Sequence, residues 1–387
     1  MKNLLILNGN IIVDGNIKQG NILIKDGIIV DTDYTGETPE ECEVIDATNK
    51  YVSPGFVDLH VHGGGGYDFM DCTVEAFENI SRTHLLNGAT TIVPTAVSSE
   101  FSSIIKLIQT YKEAENVCLN FYGIHLEGPY ISKAQKGAHK EHLLHSPNDE
   151  ETRQLLEVGK GILTRITAAP ELDGMDDFAE IMMKNGVLMS LGHSDATSDI
   201  ASKAFENGFS HVTHLYSATP SVRKIDQVVK AGVLEAAYLD DNVTVELIAD
   251  GKHAAVDALR LAVKIKGTDK VALVTDALRP AGQDVTESWL GEVVPENRVI
   301  IEDGVVKLPD RSSFAGSIAT AATLLEKGVN HYGFSIADTV KMITETPASI
   351  LGLSDRGVIA EDKRADIVVF NKELDICNVV IGGNIYA

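Results

Sequence analysis

Two histidines at the end of an apolar run are the first residues in the chain whose type and spacing could do chemistry. His60 and His62 close the run Phe56–His62, which follows Pro54-Gly55 and precedes four consecutive glycines. A short run rich in apolar and β-branched residues predicts a buried strand, and residues two apart on a strand point to the same face. Because imidazole is a common metal ligand, the spacing indicates one half of a metal site. On this stretch alone, two surface loop histidines are an equally simple interpretation.

Further residues of the metal-ligand type follow later apolar runs. Each stands where a predicted strand ends: Glu127 after the third, His193 after the fifth, His214 after the sixth and Asp276 after the eighth. Any one of them alone could be a hydrogen-bonded structural group, and Glu127 could cap a helix. Together with His60 and His62 they favour a divalent metal site. The mixture of imidazole and carboxylate suits Zn²⁺ or Fe²⁺ better than Mg²⁺.

The elements that must position these residues alternate between strand-like runs and helix-like stretches. The strand-like runs are Phe56–His62, Thr90–Thr95, Leu119–Leu126, Leu163–Ala168, Val187–Gly192, His211–His214, Val243–Ala249 and Val271–Thr275. The helix-like stretches include Val74–Leu86, Ser102–Lys112, Asp177–Lys184, Ser198–Glu206 and Ala254–Lys266. This alternation predicts an α/β fold with a (β/α)8 barrel of the TIM type, whose active site lies at the carboxyl ends of the strands. A doubly wound sheet is the alternative, but Gly63–Gly66 lacks the G-x-G-x-x-G spacing that it would need.

The two ends of the chain lack the alternation and are predicted to be β structure. Near the N-terminus, short apolar runs are separated by tight turns predicted at Asn8-Gly9, Asp14-Gly15 and Asp26-Gly27. Near the C-terminus, Asp366–Phe370 and Val379–Tyr386 are predicted strands. Between the barrel and this tail we expect a hairpin, Arg298–Ile301 with Val305–Leu308, and helices near Thr320–Asn330 and Ile336–Thr346.

Composition limits the classes of function. The chain of 387 residues is 44% hydrophobic and carries a net charge of −23, which favours a packed core and argues against partners such as nucleic acid or an anionic membrane. An anionic small substrate needs only a local basic pocket. The four cysteines lie far apart without a Cys-x-x-Cys motif, and no leader or membrane-length apolar run is found. We therefore expect a cytoplasmic protein with free thiols.

As a set, the motifs resemble the amidohydrolase superfamily and, within it, the N-acetylglucosamine-6-phosphate deacetylase family. The matching segments are Pro54–Gly63, His125–Tyr130, Gly137–His139, Gly192–Ala196, Thr213–Tyr216, Asp250–His253, Thr275–Ala277 and Gly357–Asp366. The resemblance covers nearly the whole chain. It implies a metal-dependent catalytic barrel over residues 54–355 and a small β-sandwich domain built from residues 1–53 and 356–387. It also implies a homodimer.

The resemblance implies a role for each candidate residue. Glu127, His193 and His214 would hold the main metal, and His60 and His62 a second, so that each subunit has one or two ions of Zn²⁺ or Fe²⁺. Asp276, also a candidate ligand, would take a proton from the attacking water and pass it to the leaving amine. His139 and His253 would grip the sugar and polarise the amide carbonyl, although each alone could be a loop histidine. The remaining candidates for substrate binding are Ala138, Ser217, Ala218, Phe314, Ala315 and Gly316.

The chain departs from the family pattern where the substrate phosphate is bound. The family usually has Asn-Ala-Met where this chain has Ser217-Ala218-Thr219, followed by a Gly-Arg-Glu-Pro-Gly segment whose arginine reaches the phosphate. Here the following segment is Pro220–Asp226, and Ile225 falls in register with that arginine. Arg223, helped by Lys224, is our candidate for the phosphate contact. The alternative is an exposed basic pair without a ligand.

The predicted activity is removal of acetyl from an N-acetylated amino-sugar phosphate, converting N-acetylglucosamine-6-phosphate to glucosamine-6-phosphate and acetate. The alternative within the superfamily is hydrolysis of a different N-acetyl sugar phosphate, a cyclic amide or an acylated amino acid. Enzymes of the latter kinds often use a carboxylated lysine as bridging ligand, whereas Glu127 takes that role here. A non-catalytic barrel is the hypothesis from a different class, and loss of metal ligands would mark it.

Overall fold

The computed structural model describes residues 3–13 and 15–387 and is built from strands and helices that alternate over most of its length. The strands are β1 Asn3–Val13, β2 Asn16–Lys25, β3 Ile28–Asp31, β4 Cys42–Asp46, β5 Tyr51–Pro54, β6 Phe56–Val61, β7 Gly63–Gly64, β8 Tyr67–Asp68, β9 Ala89–Ala96, β10 Ile124–Glu127, β11 Leu163–Ala168, β12 Leu188–Leu191, β13 His211–Val212, β14 Arg223–Ile225, β15 Val228–Lys230, β16 Thr244–Ile248, β17 Val271–Val274, β18 Glu287–Trp289, β19 Arg298–Glu302, β20 Val305–Lys307, β21 Phe314–Gly316, β22 Ile367–Phe370, β23 Ile376–Ile381 and β24 Asn384–Ile385. The helices are α1 Val74–Leu86, α2 Phe101–Ala114, α3 Asp149–Val158, α4 Met175–Lys184, α5 Ser198–Glu206, α6 Val233–Leu239, α7 Val256–Lys266, α8 Ala321–Glu326, α9 Ile336–Ile343 and α10 Glu345–Ile350.

The barrel is an eight-stranded parallel sheet in the order β6, β9, β10, β11, β12, β13, β16 and β17. Its first and last strands meet at a seam, where the His62 amide donates to Ala277 O (2.8 Å) and the Asp276 amide donates to His60 O (3.1 Å). At the same seam the Asp58 carboxylate accepts a hydrogen bond from Thr275 Oγ1 (2.6 Å). The predicted TIM-type barrel is therefore confirmed, and its closure brings the ends of the first and eighth strands together.

The two ends of the chain combine into a second sheet, separate from the barrel. Its order is β24, β23, β22, β5, β1, β2 and β3, with β4 paired in parallel to β1. The link between the chain ends is the antiparallel pair of β22 and β5, in which Ile367 lies opposite Pro54. The predicted union of both ends is confirmed, while the domain boundaries after residues 53 and 355 stay a prediction.

One predicted turn near the N-terminus is wrong. Asn8-Gly9 lies inside the single strand β1, where the pairing with β2 shifts register between Ile6 and Gly9 and Asn8 has φ 61°. The extra residue is absorbed as a β-bulge, which uses the same Asn-Gly chemistry as a tight turn. The turn at Asp26-Gly27 is confirmed, with positive φ at both residues. The turn predicted at Asp14-Gly15 falls partly outside the described residues, because Asp14 is not among them.

Helix prediction succeeded where an apolar stripe is broad. The bounds of α1 and α5 agree with the prediction, whereas α3 and α6 were not predicted. In α3 half of the ten residues are charged and only Thr152 and Leu155 are buried, and α6 has only seven residues. Neither offers the long apolar repeat from which a helix is predicted. The predicted helix Ile336–Thr346 divides into α9 and the start of α10.

A four-stranded antiparallel sheet, β18 to β21, follows the barrel and contains the predicted hairpin as β19 and β20. The strands on either side of that hairpin were not predicted. The outer strand β21 is tied to the end of the eighth barrel strand, because the Leu278 amide donates to Ser317 O (3.0 Å) and the Ser317 amide donates to Asp276 O (2.9 Å). These bonds place Phe314–Gly316 beside the carboxyl end of the eighth barrel strand.

Two features bear on the environment expected for the protein. Cys42, Cys72, Cys118 and Cys377 are all free thiols. Across residues 3–13 and 15–387, no helix is both long enough and apolar enough to cross a bilayer.

Candidate active site

Four histidines predicted as ligands gather around the Glu127 carboxylate at the carboxyl end of the barrel. Nε2 of His214 lies 2.8 Å and Nε2 of His193 lies 3.1 Å from Glu127 Oε1. On the other side, Nε2 of His62 lies 3.2 Å and Nε2 of His60 lies 3.6 Å from Glu127 Oε2. The two oxygens of one carboxylate thus face two different pairs of histidines, which is the arrangement of a bridging ligand.

Asp276 completes the group from the eighth strand. Its Oδ1 lies 3.4 Å from His62 Nε2 and 3.6 Å from His60 Nε2. The six predicted ligands are all buried, with His60 inaccessible to solvent. The structure therefore brings together the complete predicted ligand set, from the first, third, fifth, sixth and eighth strands.

Hydrogen bonds on the far side of three imidazoles fix which nitrogen faces the site. His193 Nδ1 donates to Gln135 O (2.7 Å), and His214 Nδ1 donates to Ser217 O (3.1 Å). His60 Nδ1 donates to the Glu246 carboxylate (2.8 Å). Since these partners are acceptors, each Nδ1 carries a proton, and in the neutral imidazole each Nε2 then presents its lone pair to the centre, as metal-binding histidines require. His62 Nδ1 is buried without a partner among the described residues.

The backbone at the strand ends is unusual in three of the predicted ligands. His193, His214 and Asp276 have φ of 47°, 26° and 49°, in or near the left-handed region. Such conformations are uncommon for residues with a side chain and cluster at functional sites, where the surroundings compensate for the strain. Here the left-handed turn redirects each side chain from the end of its strand towards Glu127.

Charge coupling among these groups is strong. Burial opposes ionisation of Glu127, but the charge of His60 and hydrogen bonds from His139 and His193 outweigh it, so the pKa of Glu127 lies well below its usual range. Burial also opposes the cationic form of His62, yet hydrogen bonds with Asp276 and Glu127 raise its pKa to about 9. The carboxylates thus favour a positive charge at the position between the histidines.

The donor set fits a divalent metal. Ligand atoms of His60, His62 and Glu127 lie within 4.8 Å of one another, and so do those of Glu127, His139 and His193. Imidazole nitrogens and carboxylate oxygens in tight groups are the ligands of Zn²⁺ and related ions. The inclusion of His139 in the second group is a finding that the sequence did not predict, because His139 was predicted as a substrate contact.

A cavity of about 400 Å³ opens onto these ligands. The substrate-binding candidates that line it are Ala138, His139, Ser217, Ala218, His253, Phe314, Ala315 and Gly316. His253 is held by Asp250, whose Oδ2 accepts from His253 Nδ1 (2.8 Å), and its ring packs edge to face on Phe314 with 5.1 Å between centroids. The structure thus gathers every predicted substrate contact but one around the predicted metal ligands.

Arg223 is the exception, because it does not line this cavity. It begins the two-stranded hairpin of β14 and β15, and its guanidinium donates to the Asp195 carboxylate (2.5 Å) and to Asp195 O (2.7 Å). Its side chain is 31% exposed. Within this chain the arginine is therefore bound to an internal partner at the edge of the site.

Several residues that support the site were missed by the sequence prediction. Ser98 hydrogen-bonds His139 Nδ1 (2.8 Å), Gln135 lines the cavity, and Glu246 anchors His60. Ser98 follows the second strand, so the rule that pointed to the other strand ends could have found it. Glu246 is a charged residue within the apolar run of β16, which was a usable signal. Gln135 lies in a loop and gave none.

A TIM-type barrel with a buried rim of histidines and carboxylates defines the class of metal-dependent barrel hydrolases. Residues 51–386 match the model of the Amidohydrolase family, and the chain belongs to that family.

Known relatives extend over the full length of the chain. An N-acetylglucosamine-6-phosphate deacetylase of Bacillus subtilis is 30% identical over 385 residues, covering 95% of this chain and 93% of that protein. An N-acetylgalactosamine-6-phosphate deacetylase of a Shewanella species is 29% identical, covering 99% and 96%. Among solved structures, a variant of N-acetyl-D-glucosamine-6-phosphate deacetylase from Mycobacterium smegmatis in complex with N-acetyl-D-glucosamine-6-phosphate is 28% identical, with a TM-score of 0.90 and coverage of 100% and 99%.

The two histidine pairs around Glu127 predict two separable metal positions. Replacing both His60 and His62 by alanine removes one pair and leaves His193 and His214 with the other carboxylate oxygen. Metal content, measured by mass spectrometry on the purified protein, is expected to fall by about one equivalent per chain. Loss of all metal would mean that the positions are not separable, and an unchanged content would mean that the first-strand pair is structural.

Proposed function

We propose that this protein is a hydrolase that removes the acetyl group from an N-acetylated amino-sugar phosphate, with N-acetylglucosamine-6-phosphate as the substrate. The observation that carries the proposal is the Asp276 carboxylate beside His60 and His62, at the floor of a cavity lined by the predicted sugar contacts. Relatives named for this reaction match over almost the whole chain. The products are acetate and glucosamine-6-phosphate, formed as water adds across the amide carbon–nitrogen bond.

Glu127, His193 and His214 would hold the main ion and His60 and His62 a second. A divalent ion at this place supplies Lewis acidity and lowers the pKa of water towards about 7. We propose Zn²⁺ or Fe²⁺, one or two per subunit, from the nature of the ligands.

Asp276 is the proposed general base and acid. Its buried carboxylate faces the ligands and also lines the cavity, so it can reach both a water and the substrate nitrogen. It would take the proton from the attacking water and then deliver it to the leaving amine. The nitrogen departs as a neutral amine, which avoids expulsion of an unprotonated anion.

His139 and His253 are the proposed sugar and carbonyl contacts. Burial lowers the pKa of His139 to about 4, against the opposing hydrogen bond with Glu127, so at neutral pH its imidazole is uncharged. A neutral ring has one N–H to donate and one lone pair, and Ser98 occupies its Nδ1. His253, fixed by Asp250, would orient the sugar from its own position in the lining of the same cavity.

The substrate contains one of two hexosamine epimers, glucosamine or galactosamine. Relatives named for the glucosamine and the galactosamine substrate are similar to this chain at 30% and 29% identity. We therefore keep N-acetylgalactosamine-6-phosphate as the second candidate. The deciding experiment is acetate release from both N-acetylhexosamines, each with and without the 6-phosphate. The proposal requires the phosphorylated glucosamine derivative to give the highest kcat/KM.

Assembly and location follow from the same proposal. We propose a homodimer in the cytoplasm, in line with the free cysteines and with a substrate that bears a phosphate. Val222, Val228 and Val229, on and beside the hairpin of Arg223, are each more than half exposed. Apolar residues presented together in this way favour a contact with a second copy of the chain. Such a contact would bring Arg223 towards the partner's cavity.

Replacing Asp276 by asparagine tests the proton transfer. The amide keeps the size of the side chain but cannot accept the proton of an attacking water. Turnover is expected to fall about 10²–10⁴-fold with metal still bound, because this is the usual contribution of general acid–base catalysis. The measurement is kcat for acetate release alongside metal content. Turnover near that of the wild type would refute the role.

Replacing Arg223 by alanine tests the phosphate contact. A phosphate needs a cationic partner, and arginine offers paired donors in a planar fork. Loss of such a charged hydrogen bond is expected to lower kcat/KM about ten- to a hundredfold for the phosphorylated sugar. The unphosphorylated sugar should be nearly unaffected.

The matched control is Lys230→Ala, since Lys230 lies opposite Arg223 in the hairpin and is exposed. Lys230→Ala should leave kcat/KM unchanged for both the phosphorylated and the unphosphorylated sugar. If Arg223→Ala lowers kcat/KM equally for both sugars, or for neither, Arg223 has no role at the phosphate. Its pair with Asp195 is then only structural.

A further inference from the structure

A charged pair lies in the interior of the barrel beneath the metal ligands. Arg165 on β11 and Glu246 on β16 are both inaccessible to solvent, and Arg165 Nη1 donates to Glu246 Oε2 (2.6 Å). Arg165 also donates to Thr213 Oγ1 (2.8 Å) and Ser190 Oγ (3.2 Å). Its Nε is buried without a partner in the described part of the chain. The pair therefore connects side chains of four barrel strands.

Stability alone is a poor reason for such a pair. Removing two charges from water is costly, and apolar residues of similar volume often stabilise a core at least as well. The cost is greater when a donor of the arginine is left unpaired. A benefit other than packing must explain the pair.

The other contacts of Glu246 indicate what the pair contributes besides packing. Its Oε1 accepts from His60 Nδ1 (2.8 Å) and from the backbone amide of His214 (3.2 Å). Its Oε2 lies 3.2 Å from His211 Nε2. One carboxylate thus touches two predicted ligands, one through the side chain and one through the backbone.

The anchors of the other ligands are of a different kind. His193 and His214 donate from Nδ1 to the carbonyl oxygens of Gln135 and Ser217. His62 has no Nδ1 partner among residues that the structure describes. In the first-strand pair, the orientation of the His60 imidazole therefore depends on Glu246.

We propose that Glu246, held by Arg165, is the positioning residue of the metal position formed by His60 and His62. Its carboxylate keeps the proton on His60 Nδ1, which directs the Nε2 lone pair towards Glu127 and Asp276. Arg165 holds this carboxylate in place in the barrel interior by donating from Nη1 to Glu246 Oε2 (2.6 Å). The inference rests on the metal site of the proposed function, and Glu246 itself does not touch the metal or the substrate.

The test is a Zn²⁺ titration of metal-free protein, with bound metal measured by mass spectrometry and affinity by competition with a chromogenic chelator. The wild type, Glu246→Gln and the double variant His60→Ala with His62→Ala are compared, and the double variant identifies the equivalent that belongs to the first strand. In Glu246→Gln the affinity of that equivalent is expected to fall about 10–100-fold, as is usual when a residue behind a metal ligand is lost. The affinity of the other equivalent should stay near that of the wild type.

Three results would overturn the proposal: unchanged affinity for both equivalents in a folded Glu246 variant, an equal loss in both, or a wild type that binds only one. The matched control is Asp366→Asn, which removes the charge of a buried carboxylate paired with the partly exposed Arg364 (3.0 Å), just before β22 of the terminal sheet, and should leave Zn²⁺ binding unchanged. Circular dichroism of the metal-free proteins checks folding. If Glu246→Gln does not fold, the double change Arg165→Met with Glu246→Gln removes the charge together with its partner, and the same loss at the first-strand equivalent is expected.

The titration uses no substrate. Absence of acetate release from the wild type would therefore refute the deacetylase proposal without affecting this result. Conversely, a wild-type enzyme that is active while its Glu246 variant binds Zn²⁺ normally would refute only the positioning role.

Discussion

The crowding of ligand groups around one buried carboxylate is the constraint on which the site depends. Glu127 is surrounded by histidines on both of its oxygens, and Nε2 of His60 and Nε2 of His62 lie only 3.1 Å apart. Lone pairs and negative charges gathered out of water repel one another and lose their hydration. A cation between them reverses both penalties. The geometry at the carboxyl ends of the barrel strands therefore favours the binding of a cation.

Closure of the barrel brings these side chains together. Parallel strands place their carboxyl ends on one rim, and the seam between β6 and β17 brings His60 and His62 within reach of Asp276. Left-handed backbone just after the strands then turns His193, His214 and Asp276 inwards. The strained residues are held by the hydrogen bonds of the seam and by carbonyl acceptors in the following loops. The strained backbone thus holds these three side chains in fixed orientations.

Much of this could be predicted from the sequence, for a physical reason. Apolar runs of strand length indicate buried parallel strands, and residues just beyond them must share one end of the barrel, so the candidate ligands could be named without knowing the loops. The Asn8-Gly9 turn was mispredicted because a bulge and a hairpin use the same residues. The pair of Arg165 and Glu246 could not be predicted, since the two meet only when β11 and β16 turn these side chains inwards. The partner of Arg223 depends on the hairpin that follows the sixth strand, whose path the sequence pattern does not specify.

We infer that the histidines around Glu127 hold a divalent metal through their Nε2 atoms. Anomalous X-ray diffraction from crystals grown with Zn²⁺, recorded on both sides of the zinc absorption edge, tests it most directly. We expect an anomalous peak bounded by Glu127 Oε1 and Nε2 of His193 and His214. Absence of a peak among these atoms at full zinc content, or coordination through Nδ1, would contradict it.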